Sequence, residues 1–192
     1  MKNKNGSFVL MRNMLCAVAL LLPLAGCNFL GHPDYELAVT IEPGVTGTPA
    51  SGVYTYTELE EVSYSYTPVN AKHTVQVLVD DGKEDAIASF TIYKNTTLVA
   101  RLFDVRGTWK ISYYLSTNST VNEFTVTFSG SDILNGTFSD SRGHHGTWDA
   151  ASGVFTFTFS DFESYKYTGA LLAMSGTWSN GTVTGTWGAA KQ

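Results

Sequence analysis

Cysteine is scarce in this 192-residue sequence, because Cys16 and Cys27 are the only two and both lie in the first 27 residues. The rest of the chain can form no disulfide and offers no thiol nucleophile, so an exported form would depend on core packing for stability. The sequence also lacks a nucleophile elbow, a zinc-protease helix motif, a phosphate loop and a dinucleotide fingerprint. We therefore expect a protein that is not an enzyme and that needs no cofactor.

Long apolar runs are also lacking, and the one marked apolar segment is short. Lys2, Lys4 and Arg12 precede the twelve residues from Met14 to Ala25. A helix needs about 20 apolar residues to cross a bilayer, so this segment is too short to span one. Its basic start and its end at Leu24-Ala25-Gly26-Cys27 are typical of an exported segment that is removed by cleavage.

Leu24 to Cys27 closely resembles the lipobox of bacterial lipoproteins. The resemblance implies cleavage before Cys27 and acylation of that cysteine, and several acyl chains make membrane anchoring effectively permanent. Asn28 stands where an aspartate would direct inner-membrane retention, so the resemblance favours the outer membrane of the cell envelope. An ordinary secretory signal, in which Cys27 is incidental, is the alternative.

These signals divide the N-terminus into a signal peptide, residues 1–26, and a lipidated cysteine with a short tether, residues 27–33. Met11 or Met14 could be the true start. The expected mature chain has 9 basic and 17 acidic residues, a net charge of −8. That excess disfavours nucleic acid and anionic headgroups as partners. We expect attachment to the membrane through the lipid anchor, with a small apolar ligand or an envelope protein as further partner.

Residues 34–103 are expected to form a small β-module. Apolar and polar residues alternate there with period two. The pattern predicts six strands: Tyr35–Glu42, Gly52–Glu58, Val62–Thr67, His73–Val79, Ala86–Tyr93 and Thr97–Phe103. Asp80-Asp81-Gly82-Lys83 predicts a hairpin turn in which the Asp-Gly pair supplies the positive φ.

About 60 residues of this module resemble a divergent internalin-B-type repeat of bacterial surface proteins. The resemblance lies in Gly44 to Tyr56, Val62 to Tyr66, the Asp-Gly turn and Ile92 to Leu102. Val69-Asn70-Ala71 replaces the usual Gly-Tyr pair, and Val77 replaces an aromatic residue. The resemblance implies a spacer or interaction module without chemistry of its own.

Residues 104–192 carry all four tryptophans, each within a Gly-Thr-Trp triplet: 107–109, 146–148, 176–178 and 185–187. Gly136-Thr137-Phe138 is a fifth, conservative copy. In a strand, the glycine and the tryptophan of a triplet share one face. A glycine at that spacing leaves room for a neighbouring ring and lets the strand bend, as barrel closure requires.

The alternation extends over eight candidate strands with one apolar face and one face of Thr, Ser and Lys. Eight sequential strands of this kind predict an all-β, up-and-down barrel with the apolar face inward. In pattern, this half resembles a lipocalin- or avidin-type barrel. The candidate ligand-binding residues are the inward aromatics Trp109, Tyr113, Phe124, Phe128, Trp148, Phe157, Tyr165, Tyr167, Trp178 and Trp187. The alternatives are a completely filled core, or a membrane barrel with its aromatic residues facing lipid.

Two clusters could suggest a metal. His144 and His145 lie near Asp140 and Asp149, but adjacent residues on a strand point to opposite faces, so one ion could not easily take both imidazoles. Residues 141–145 are better interpreted as a loop that enters a strand. Asp80, Asp81, Glu84 and Asp85 offer oxygen ligands for Ca²⁺ without the spacing of an EF-hand loop. We expect no metal at either.

Two functions remain open for a lipid-anchored envelope protein. The first is binding of a small apolar ligand inside the barrel. The second is a structural or protein-interaction role, with a filled barrel and a Thr-rich outer face whose strands could pair or adhere. A cavity above roughly 300 Å³, the low end for ligand pockets, would favour the first.

Overall fold

The computed structural model describes residues 31–115, 120–162 and 164–192. Within these ranges the chain is all-β, with sixteen strands and no helix, as the sequence predicted. The part described accordingly holds no helix of the length and apolarity needed to cross a membrane. The signal segment, the lipobox and Cys27 lie outside the described residues.

The N-terminal half contains eight strands: β1 Asp34–Ile41, β2 Val45–Thr48, β3 Gly52–Thr57, β4 Glu61–Pro68, β5 Val75–Val79, β6 Gly82–Glu84, β7 Ile87–Thr91 and β8 Thr96–Leu102. They form a five-stranded sheet, in the order β3-β1-β8-β5-β6, and a three-stranded sheet, β2-β4-β7. The two sheets share a core in which Leu37, Val77 and Leu98 of one sheet pack with Val62 and Tyr66 of the other.

The six strands predicted for this half are confirmed, with bounds within two residues of those observed. The short strands β2 and β6 were not predicted. The predicted turn after Val79 is also present, because Val79 pairs directly with Gly82. The positive φ, however, lies at Asp80 (48°) and Asp81 (66°), while Gly82 already begins β6. The Asp-Gly pair therefore supplies a positive φ as expected, but through Asp81 and not through Gly82, and Asp80 supplies the other.

The C-terminal half forms the predicted barrel from eight strands: β9 Gly107–Leu115, β10 Val121–Ser129, β11 Asn135–Asp140, β12 His145–Ala151, β13 Val154–Phe159, β14 Lys166–Ala170, β15 Ser175–Ser179 and β16 Thr184–Lys191. Each strand pairs antiparallel with the next, and β16 closes the barrel on β9. This closed up-and-down arrangement is consistent with the lipocalin- and avidin-type barrels that the pattern resembles.

The predicted inward face is the buried one. Rings such as Trp109, Phe128, Phe157 and Trp178 belong to one buried cluster, and the threonines between them point outward. The alternative with aromatic residues facing outward was therefore wrong.

One end of the barrel rests on the N-terminal sheets. The backbone N–H of Ser152 donates to the carbonyl of Lys72 (2.8 Å), and the N–H of Gly153 donates to the Thr74 hydroxyl (3.0 Å). The N–H of Phe103, where the chain enters the barrel, donates to the carbonyl of Thr74 (2.8 Å). The opposite end, where β9, β11, β13 and β15 finish, is hereafter called the open end.

Candidate functional site

The Gly-Thr-Trp triplets of β15 and β16 pair reciprocally in the barrel wall. Trp178 lies opposite Gly185, and Trp187 lies opposite Gly176. Each indole passes over the glycine and donates to a backbone carbonyl one strand further on: Trp178 Nε1 to Tyr114 (2.9 Å) and Trp187 Nε1 to Thr168 (3.2 Å). A Cβ at Gly185 would lie 1.8 Å from the Tyr114 oxygen and 2.5 Å from Trp178 Nε1.

Strands β11 and β12 repeat this arrangement with the phenylalanine variant of the triplet. Trp148 lies opposite Gly136, and Phe138 lies opposite Gly146. Trp148 Nε1 donates across Gly136 to the carbonyl of Ser129 (3.0 Å). The predicted role of glycine, leaving room for a neighbouring ring, is therefore confirmed at both strand pairs.

Trp109 is the exception among the tryptophans. Its Nε1 donates to the carbonyl of Val105 (2.6 Å), in the segment by which the chain enters the barrel. Its ring packs on Phe103 and lies under the ammonium of Lys191 (5.5 Å). Trp109 therefore lies at the end that faces the N-terminal sheets.

Most of the ten candidate ligand-binding residues contact one another. Phe157 and Tyr167 stack with ring centroids 4.4 Å apart, and Phe128 meets Phe157 edge-on at 5.5 Å. Eight of the ten are buried: Trp109, Phe124, Phe128, Trp148, Phe157, Tyr167, Trp178 and Trp187. Tyr113 and Tyr165 are partly buried at the open end. The aromatic side chains thus fill the barrel along most of its length.

Space remains at the open end in a recess of about 220 Å³. It is lined by Tyr113, Arg142, His144, Phe159, Phe162, Tyr165 and Tyr167. The volume is below the roughly 300 Å³ at which ligand pockets begin. Burial raises the pKa of the Tyr167 hydroxyl above its ordinary value of 10.0, so this phenol stays neutral over the physiological range.

Arg142, which lies on the turn between β11 and β12, covers the recess. Its guanidinium forms a double hydrogen bond with Asp140 Oδ2 (2.9 Å from Nε, 2.7 Å from Nη2) and lies 4.2 Å from the centre of the Phe124 ring. Asp140 Oδ1 accepts the backbone N–H groups of Arg142 and His144 (2.9 Å each). Burial opposes ionisation of Asp140, but the hydrogen bonds outweigh it and lower its pKa.

Sequence reasoning missed Arg142 as a residue of the open end. Asp140 was considered only as a metal ligand, whereas its side chain is committed to holding the turn. The available signal was the Asp-Ser-Arg-Gly order, in which an aspartate can accept from the backbone two residues later.

The two histidines lie closer in space than strand alternation predicted. His144 precedes β12 and His145 begins it, so both Nδ1 atoms reach the same carboxylate, that of Asp161, at 3.4 and 3.3 Å. Across the described ranges, no three His, Cys, Asp or Glu side chains are placed to hold a metal ion. Among the acidic residues considered for Ca²⁺, Asp80 accepts from the backbone of Thr97 (2.9 Å) and pairs with Lys94 (2.9 Å).

Comparison of this chain with family models, with curated proteins and with solved structures finds no significant match.

Proposed function

We propose that this protein is a lipid-anchored, non-enzymatic component of the bacterial cell envelope, in which a filled barrel serves as a rigid scaffold for protein interaction. The observation that carries the proposal is the interlocked aromatic interior. An apolar ligand would have to displace buried ring pairs such as Phe157–Tyr167 and Phe128–Phe155. Such pairs contribute about 0.5–1.5 kcal/mol each beyond the burial of their area.

Barrel closure restricts where a partner strand can pair. Every barrel strand already has two neighbours, so the Thr-rich outer face offers no free backbone edge. The N-terminal sheets have edge strands, among them β3 and β7, which expose Val53 (66 %) and Ile87 (67 %). Interaction by strand addition is therefore assigned to the N-terminal sheets, in keeping with the internalin-B-type resemblance.

The anchor is tested by Cys27→Ser, with Cys16→Ser as the matched control. Cells are fed an alkyne analogue of palmitate and their membranes are fractionated. We expect Cys27→Ser to lose both label and membrane association, and Cys16→Ser to keep both. Label retained in Cys27→Ser would overturn the lipoprotein assignment.

The filled barrel is tested by titrating the protein with retinol and hexadecanoate while tryptophan fluorescence is recorded. We expect no saturable response, and native mass spectrometry should find no co-purified apolar molecule. A stoichiometric response would restore the alternative function, a carrier of small apolar ligands.

The interaction role is tested by placing a photo-crosslinking amino acid at Val53 or at Ile87 in living cells. The control position is Val154, an exposed residue of the barrel (50 %). A discrete crosslinked protein at either edge strand, absent at Val154, supports the proposal. No crosslink at either edge strand would remove strand addition as the mode of binding.

A further inference from the structure

A deep cleft lies between the N-terminal sheets and the barrel. Its volume is about 690 Å³, within the roughly 300–1,000 Å³ typical of small-molecule sites, which often occur at such junctions. The N-terminal side contributes Gln76, Arg101, Leu102 and others, and the barrel side contributes residues that include Trp109, Met174 and Lys191. Backbone hydrogen bonds from Phe103 and Ser152 hold the two sides together.

The polar wall of the cleft presents hydrogen-bond donors. Gln76 and Arg101 are register partners on β5 and β8, and Arg101 Nε donates to Gln76 Oε1 (3.1 Å). Gln76 is only 5 % exposed, a rare position for an amide side chain. Its carbonyl oxygen is used by Arg101, so the amide nitrogen and the terminal guanidinium nitrogens are left to donate into the cleft.

Charge in the cleft favours an anion. Lys83, Arg101 and Lys191 line it, against the acidic residues Glu42 and Asp104. Asp104 is already neutralised, because its two oxygens accept from Arg106 at 2.7–3.1 Å. Glu42 is exposed to solvent. An adjoining recess shares Gln76 and Lys83 with the cleft and adds the carboxylates of Glu84 and Asp85, so the positive charge available to an anion lies at Arg101 and Lys191.

The opposite wall is apolar. Phe103, Trp109 and Met174 are buried and line the cleft, with alanines 173, 189 and 190 beside them. The exposed fractions of the three buried residues are only 7 %, 3 % and 1 %, so the apolar surface within reach of a ligand belongs mainly to the alanines, of which 173 and 190 are exposed. The small alanine side chains leave room for a flat or aliphatic body.

We propose that this cleft binds a small organic anion, with a carboxylate or phosphate at Arg101 and Gln76 and an apolar body against the alanines beside the buried Trp109 and Met174. Guanidinium–carboxylate hydrogen bonds fix the orientation of such a ligand, and the apolar contact supplies area. The site is distinct from the barrel interior and from the open-end recess, and it does not depend on the protein-interaction role.

The Met174 methyl group is the reporter for the test. The full-length protein, in phosphatidylcholine nanodiscs, is labelled with methyl-¹³C methionine, and the Met174 signal is identified by its loss in Met174→Leu. The probes are 4-phenylbutanoate and its uncharged analogue 4-phenylbutanol. We expect a saturable shift with the anion in the millimolar range or below, and a weaker response to the alcohol.

Arg101→Gln and Lys191→Gln each remove one positive charge from the cleft. Lys166→Gln, on the outer face of the barrel, removes the same charge away from the cleft and is the control. We expect Arg101→Gln to weaken binding about tenfold, because a charge-assisted hydrogen bond is lost. Lys191→Gln should weaken it less, and Lys166→Gln should leave it unchanged. No saturable shift, equal response to the alcohol, or equal weakening by Lys166→Gln would each overturn the proposal.

Discussion

The indole Nε1 of Trp178 donates a 2.9 Å hydrogen bond to the carbonyl oxygen of Tyr114, although β15 and β9 are separated by β16. The ring can reach that far because Gly185, directly opposite on β16, has no side chain. Trp187 uses Gly176 in the same way in the other direction. In β15 and β16, as in β11 and β12, the glycine of each triplet therefore leaves room for the ring of the residue opposite it.

Gly185→Ala should destabilise the barrel strongly. The added Cβ would lie 1.8 Å from the Tyr114 oxygen, so the strand or the Trp178 ring must move. Overpacking of this kind costs about 1–3 kcal/mol, and loss of the indole hydrogen bond adds about 1 kcal/mol. Urea denaturation followed by circular dichroism measures the change.

Gly188→Ala is the matched control, because a Cβ at this position on the same strand meets no atom within 4 Å. We expect its free energy of unfolding to stay within about 0.5 kcal/mol of the wild type. Equal stability of the Gly185 and Gly188 variants would contradict the role assigned to the triplet.

The periodic parts of this fold could be predicted from the sequence, and the contacts between distant segments could not. Alternation fixed the inward face of the barrel, since side chains on a strand alternate with period two. Strands β2 and β6 escaped prediction because four and three residues carry too little pattern. The cleft between the N-terminal sheets and the barrel brings together Gln76, Arg101 and Lys191. Their proximity depends on the order of strands in the sheet and on how the N-terminal sheets pack against the barrel.

The open-end recess shows the same limit. Tyr113, Tyr165 and Tyr167 were expected among the inward-facing candidate ligand-binding residues, and all three line the recess. Arg142 was not expected, because a turn residue gives no periodic signal. Its position follows from the hydrogen bonds that Asp140 accepts. The Asp-Ser-Arg-Gly order signals only the bond from the Arg142 backbone, whereas the bonds from the guanidinium and from His144 depend on the folded turn.

Phe157→Ala should convert the filled barrel into a hollow one. Phe157 is fully buried and stacks on Tyr167 at 4.4 Å, so truncation removes a ring from the middle of the core. We expect the free energy of unfolding to fall by about 3–5 kcal/mol. We also expect a dry cavity that binds benzene, as apolar cavities of this kind do. Benzene should raise the melting temperature of the variant and leave that of the wild type unchanged.

Phe157→Leu serves if the alanine variant does not fold, since it leaves a smaller cavity at lower cost. Stabilisation of the wild type by benzene, equal to that of the variants, would show that the barrel already holds accessible space.

Asp81→Gly should stabilise the β5–β6 hairpin. Asp81 has a φ of 66°, a left-handed conformation that glycine adopts without the steric cost of a Cβ. We expect the free energy of unfolding to rise by a few tenths to about 1 kcal/mol, because the greater freedom of glycine in the unfolded chain offsets part of the gain. Asp81→Val should lose about 1–2 kcal/mol, because a β-branched residue is strained at positive φ. Denaturant midpoints measure both, and an identical effect of the two substitutions would contradict the turn geometry.

Asp140→Asn should change how stability depends on pH. The pKa of Asp140 is lowered on folding, since hydrogen bonds from Arg142 and the backbone outweigh its burial. A lowered carboxyl pKa contributes stability that is fully present above the unfolded value of 3.8 and is lost as pH falls through the folded pKa. The free energy of unfolding of the wild type should therefore exceed that of Asp140→Asn by about 2 kcal/mol at pH 7. This is less than the cost of breaking a fully buried ion pair, because the Arg142 side chain is 42 % exposed.

The difference between the two proteins should shrink as the pH is lowered below about 4. Asp80 and Asp104 also have lowered pKa values, so both proteins lose stability in acid, and only the difference isolates Asp140. Asp149→Asn, at an exposed position on β12, is the control. Urea unfolding between pH 2.5 and 7 gives the two curves. A constant offset between wild type and Asp140→Asn over that range would mean that ionisation of Asp140 contributes nothing to the turn that holds Arg142 over Phe124.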